Sequence, residues 1–89
     1  MENIVKYKYN SCISFSLVRY VILDVGGDRF VASRACLAKL PVTRLGKLMR
    51  ANTINGILEF CDEFVPTEPP EYFFDRNPEN FASILDIYR

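Results

Sequence analysis

The 89-residue chain has no histidine and no excess charge of either sign: 11 Lys and Arg stand against 11 Asp and Glu. Without histidine, Ser-His-Asp and Cys-His catalysis are excluded, as is every metal site that uses an imidazole. Zero net charge gives no electrostatic grip on nucleic acid or on an anionic membrane. The three cysteines, Cys12, Cys36 and Cys61, are odd in number and widely spaced. They match neither a disulfide framework nor a metal-binding set, and are expected as small apolar side chains in a reducing compartment. Long apolar runs are missing too. The longest, Cys12 to Val25, is broken by Arg19 and Asp24, well short of the roughly 20 residues a membrane helix needs. Lys6 and Lys8 ahead of Cys12–Val18 have the outline of a signal peptide, but Arg19 stands where a small-residue cleavage site is required. No repeat and no low-complexity segment is present, and no group is set up for catalysis, so no enzyme is expected.

What the chain does contain is an ordinary globular composition, 49% hydrophobic and 25% charged, in a length that allows one small domain. Such a domain has little core for its surface and often leans on a partner. The best-specified stretch is Glu71 to Tyr88. Glu71-Tyr72-Phe73-Phe74-Asp75 follows Pro69-Pro70 and suits a short strand. Asn77-Pro78 then provides a capping side chain and a proline at the first helical position. Phe81, Ile84, Leu85 and Tyr88 fall at i, i+3, i+4 and i+7, one buried face of a helix starting at Pro78. Upstream, Val21, Leu23 and Val25 alternate with Tyr20, Ile22 and Asp24, and Gly26-Gly27 separates this strand from a second one, Asp28 to Ala32. The glycines belong to no phosphate-binding pattern, because a strand follows them.

Ser33 is placed to cap a short helix carrying Cys36, Leu37 and Leu40, which Pro41 ends. Thr43 caps a second helix with Leu45, Leu48 and Met49 inward and Arg44, Lys47 and Arg50 on a solvated face; Gly46 within it signals close packing. Asn52 to Gly56 is expected as a loop, Ile57 to Cys61 as a brief helix ending near Asp62, and Val65 to Pro70 as a stiff, extended loop. Asp62-Glu63 is an acidic corner rather than an acid–base pair, since adjacent side chains diverge.

Four strings carry a resemblance in register: Leu23-Asp24-Val25-Gly26-Gly27, Leu40-Pro41-Val42-Thr43-Arg44-Leu45-Gly46-Lys47-Leu48, Leu58-Glu59-Phe60-Cys61-Asp62-Glu63-Phe64 and Glu71-Tyr72-Phe73-Phe74-Asp75-Arg76-Asn77-Pro78. Together they resemble the cytoplasmic tetramerisation (T1) domain of voltage-gated potassium channels. The Cys-Asp-Glu-Phe and Thr-Arg-Leu-Gly-Lys-Leu strings look more like the Shab-type branch, with its silent modifier subunits, than the Shaker branch. The resemblance implies an α+β, BTB/POZ-like fold: a small sheet with short helices, over residues 19–89. Residues 1–18 stay unassigned as a leader, a first strand or an alternative start. Relatives continue past the position of Arg89, so the domain is expected to be C-terminally incomplete.

The resemblance implies an assembly function at the cytoplasmic face of the plasma membrane, with copies of the same or related channel subunits as partners in a tetramer. No nucleic acid and no membrane insertion of this segment are expected. Asp75, Arg76 and Asn77 resemble the family's polar positions, with Arg29 and Asp62 as further interface candidates. A structural role stays open for each: Asp75-Arg76 can fix the corner, and Asn77 can cap. The zinc site of non-Shaker branches uses a histidine and cysteines that lie downstream of Arg89, so no metal or cofactor is expected within this stretch. The alternative is a BTB-type adaptor that recruits a cullin ubiquitin ligase scaffold, to which Ser33-Arg34-Ala35-Cys36-Leu37 is similar.

Overall fold

The computed structural model of the chain describes residues 18–89; the expectations for the leader lie outside the described residues. Strands β1 (Tyr20–Val25) and β2 (Asp28–Ser33) come first, then helices α1 (Arg34–Ala38), α2 (Arg44–Arg50) and α3 (Ile54–Leu58). Strands β3 (Glu63–Val65) and β4 (Glu71–Phe74) follow, and helix α4 (Phe81–Tyr88) is last. The four strands form one sheet in the order β2-β1-β4-β3.

β1 and β2 pair antiparallel from Tyr20↔Ser33 to Val25↔Asp28. The turn between them has two residues, Gly26 at φ +58° and Gly27 at φ +104°, both in the left-handed region that a tight hairpin demands. Asp24 Oδ1 accepts the Gly27 N–H at 2.9 Å and steadies the turn. β4 lies parallel to β1, with Leu23↔Tyr72 and Val25↔Phe74 in register. A parallel pair needs a long crossover, and α1 to α3 supply it.

Alternation decides which side of the sheet is buried. Val21, Leu23, Val25, Ala32, Phe64, Tyr72 and Phe74 all face the helices and are buried. Tyr72, Phe64 and Leu23 are the largest fully buried side chains, with the Phe64 and Tyr72 rings 5.1 Å apart. Leu37, Leu45, Leu48, Met49, Ile54, Ile57 and Leu85 close the core from the helical side. The opposite face of the sheet leaves Tyr20 and Val31 largely exposed.

Each crossover helix begins at a hydroxyl cap: Ser33 accepts from the Cys36 N–H, Thr43 from Gly46 and Thr53 from Gly56. Gly46 is buried, and a Cβ there would run into the Leu40 carbonyl, so its packing role is as the sequence indicated.

Four expectations need correction. Asn52–Gly56 is no loop, because Thr53 caps α3 and sends Ile54 and Ile57 into the core. The stretch after Cys61 forms the edge strand β3, paired antiparallel with β4. Consequently residues 66–70 turn back rather than run extended; the Thr67 N–H donates to the Val65 carbonyl and its hydroxyl to the Pro69 carbonyl. The helix expected at Pro78 starts at Phe81, because residues 78–80 form a separate turn. Leu85 and Tyr88 are buried and Phe81 packs edge-on against Phe30 at 5.0 Å, but Ile84 remains 45% exposed.

Candidate subunit interface

The corner after β4 is built from main-chain bonds that few side chains could replace. The Phe74 carbonyl accepts two N–H groups, from Gly26 and from Arg76, both at 2.9 Å. Gly26 has to be glycine here for a second reason: a Cβ would collide with the Arg76 carbonyl oxygen and press on Pro78. The β1–β2 hairpin tip and the Asp75–Pro78 corner therefore interlock.

Asp62 ties the other side. Its N–H donates to the Phe73 carbonyl at 2.8 Å, and its carboxylate Oδ2 accepts the Asp75 N–H at 2.7 Å. The carboxylate extends the β3–β4 ladder by one rung beyond Glu63↔Phe73. Asn77 accepts the Glu79 N–H through Oδ1 at 2.9 Å, an Asx turn that starts the 78–80 segment. It caps that turn and not α4, whose own cap residue Asn80 makes no side-chain capping bond.

Four of the five candidate interface residues thus meet at one end of the sheet: Asp62, Asp75, Arg76 and Asn77, all exposed. Arg29 is not brought to that corner. Its guanidinium crosses the outer sheet face to Glu71 at 3.1 Å, and Glu71 lies beside Ile22, away from the Phe74 end of β4.

One feature of the surface was open to sequence reasoning and went unnoticed there. Between residues 29 and 58 every charged side chain is basic: Arg29, Arg34, Lys39, Arg44, Lys47 and Arg50. Between 59 and 75 every one is acidic: Glu59, Asp62, Glu63, Glu68, Glu71 and Asp75. Most of the first block lies on or beside α1 and α2 and most of the second on or beside β3 and β4, although Arg29 belongs to β2 and Glu59 caps α3. The blocks touch where the Arg29 guanidinium pairs with Glu71 at 3.1 Å, and where the Arg44 Nε donates to the Phe60 carbonyl at 3.0 Å.

Burial holds Cys61 and Tyr72 in their neutral forms. Burial pushes the Cys61 thiol up to about 12, helped by the Asp62 carboxylate and opposed by Arg44. Its S–H donates to main-chain carbonyls of Ile57 and Glu63. Burial likewise pushes the Tyr72 phenol up to about 12. Among the described residues no group of three or more Cys, Asp or Glu side chains is placed to hold a metal ion. No helix among them is long and apolar enough to cross a membrane.

Comparison with known proteins agrees with this architecture. The chain is 41% identical over 68 residues to the delayed-rectifier potassium channel regulatory subunit KCNS3 of Homo sapiens, covering 76% of this chain and 14% of that protein. It is 40% identical over 67 residues to the voltage-gated potassium channel regulatory subunit KCNG2 of Gallus gallus, covering 75% and 13%. With KCNG1 of Mus musculus, another such regulatory subunit, it shares 37% over 81 residues, covering 91% and 16%. The chain therefore spans about one-seventh of the length of these relatives. The family model described as the BTB/POZ domain matches residues 21–89, the hairpin, the crossover helices, β4 and α4 together, and the chain belongs to that family.

Proposed function

We propose that this chain is the cytoplasmic assembly domain of a voltage-gated potassium channel subunit of the regulatory, Shab-associated kind. Its partners are copies of the same or related subunits, in a fourfold ring. The observation that carries the reading is the division of charge between the α1–α2 surface and the β3–β4 edge, on a fold shared with named channel regulatory subunits.

A closed ring needs a heterologous contact, in which one patch meets a different patch on the next copy. A basic surface and an acidic edge on the same molecule are complementary in that sense. Like-with-like docking is disfavoured, which gives selectivity more than raw affinity. Asp62 and Asp75 lie at the acidic end, with Arg76 and Asn77 beside them, and we assign them to the contact. Arg29 is assigned a supporting place on the outer sheet face. In a full subunit, membrane tethering would raise the local concentration of matching copies, so weak docking is enough to bias which tetramer forms. We further propose that residues 18–89 do this without a bound metal. The relatives' names support this reading over a ubiquitin-ligase adaptor.

The test is sedimentation of the 89-residue chain, alone and with the corresponding domain of a conducting channel subunit. Reversing Asp62 to Lys is expected to weaken association, and reversing Lys47 to Glu likewise. Combining both reversals is expected to restore part of the loss. A chain that stays monomeric with either partner at high concentration would sink the proposal.

A further inference from the structure

Asn55-Gly56 is the one Asn-Gly pair in the chain, and it lies inside α3, where neither residue is a good helix former. Asparagine before glycine carries its own reactive chemistry. The Gly56 main-chain nitrogen can attack Cγ of Asn55. The new N–Cγ bond closes a cyclic imide, the Cγ–Nδ2 bond breaks, and ammonia leaves with the proton the Gly56 nitrogen gives up. Water then opens the imide at either carbonyl. One opening gives aspartate; the other gives isoaspartate, in which the main chain runs through the former side chain. Water is the only co-reactant, and glycine lacks the Cβ that would hinder the attacking nitrogen. Asn55 is exposed to the water that the second step consumes.

The fold holds this reaction back at two points. Ring closure needs Cβ, Cα and C of Asn55 and the Gly56 nitrogen nearly coplanar, a geometry that a helical ψ of about −42° excludes. The Gly56 N–H, whose proton must leave, donates to Thr53 Oγ1 at 3.1 Å. One position further on, the Ile57 N–H donates to the Thr53 carbonyl at 2.9 Å. Thr53 thus anchors both bonds that span Asn55. We propose that Asn55 is a site of spontaneous conversion to aspartate and isoaspartate, gated by the Thr53 cap: closed α3 protects it and opened α3 commits it. A helix of five residues is held by its cap and by the buried Ile54 and Ile57 rather than by propensity, so it opens at less cost than the sheet. The products do not close as before. Aspartate would place a carboxylate one turn from Glu59, a like-charge pair at i, i+4. Isoaspartate adds a main-chain methylene between the Asn55 Cα and Gly56, which throws the Gly56 and Ile57 N–H groups out of register with Thr53. The proposal does not depend on the assembly reading.

The experiment incubates the 89-residue chain in mildly alkaline buffer, native and in guanidinium chloride above its unfolding midpoint. Peptide mass mapping follows the loss of ammonia and chromatography separates the two acids. Conversion at Asn55 is expected to be at least about tenfold slower in the native chain, because only the opened population reacts. Thr53→Ala should raise the native rate about fivefold, the weight of one lost cap, while Thr53→Ser, which keeps the hydroxyl, should leave it unchanged. The chain carrying isoaspartate should melt below the unmodified one. Equal rates in native and unfolded chains, a Thr53→Ala chain that reacts no faster, or another asparagine reacting first would each overturn the assignment. So would an isoaspartate chain with an unaltered melting temperature. Should Thr53→Ala fail to fold, hydrogen exchange on the unaltered chain decides the matter: as denaturant is raised below the midpoint, exchange of the Gly56 amide and conversion of Asn55 must accelerate together, and conversion that ignores that opening ends the proposal.

Discussion

At the scale of single residues, Gly26 carries two constraints at once. Its φ of +58° is in the left-handed region, and the space a side chain would take is filled by the Arg76 carbonyl. Gly26→Ala is expected to destabilise the fold by at least about 2 kcal/mol, read from the urea midpoint. The same substitution at Gly27, where no atom approaches, meets only the backbone term and should lose less. Cys61 and Tyr72 set the alkaline limit. Both have folded pKa values raised to about 12, from ordinary values of 9.0 and 10.0. The neutral forms are favoured in the fold, so their contribution is complete below pH 9 and is lost as pH rises from about 9 to 12. Denaturation midpoints should be flat in these two groups through neutral pH and fall above it; a midpoint that climbs across that range would contradict the burial account. At neutral pH a thiol reagent should label the half-buried Cys36 well before Cys61.

At the scale of elements, α3 is the clearest case of structure the sequence concealed. Asn52-Thr53 and Asn55-Gly56 carry turn chemistry, and glycine and asparagine lower helix propensity. Tertiary burial of Ile54 and Ile57, together with the Thr53 cap, outweighs that preference. Thr53→Ala is accordingly expected to cost about 1 kcal/mol, measurable by chemical denaturation. A change near zero would mean the cap is not what starts the helix. The hairpin, by contrast, was legible in full, because alternation and a double glycine specify strand, turn and register together. Thr43 and its helix were legible for the same reason: cap, spacing and glycine agree. β3 was hidden because three residues are too few to show a period, and its partner follows a proline-rich turn. The corner was half legible. Asp75, Arg76 and Asn77 were identified from their motif, but nothing local in the sequence places the Asp62 carboxylate on the Asp75 N–H, 13 residues away.

At the scale of the whole molecule, surface charge is expected to govern behaviour. If the α1–α2 surface meets the β3–β4 edge of a neighbouring copy, association should weaken steeply between low salt and about 0.5 M, where screening lengths shrink to a few ångströms. Salt-insensitive association would point to apolar side chains on the outer sheet face, such as Val31, which is 59% exposed, as the contact instead. Treating the chain with a strong chelator should leave its melting temperature and its association unchanged; a drop in either would reveal a metal that the described residues do not account for.

The placement of β4 beside β1 also bears on how the chain comes to be folded. The middle of the sheet is completed by a strand roughly fifty positions later than the one it joins. On the ribosome the first hairpin must wait, one flank unclaimed, until Phe74 has left the exit tunnel. Over that interval Val21, Leu23 and Val25 have no β4 side chains beside them, so nascent chains stalled before residue 71 should be the species that chaperones hold and that aggregates recruit.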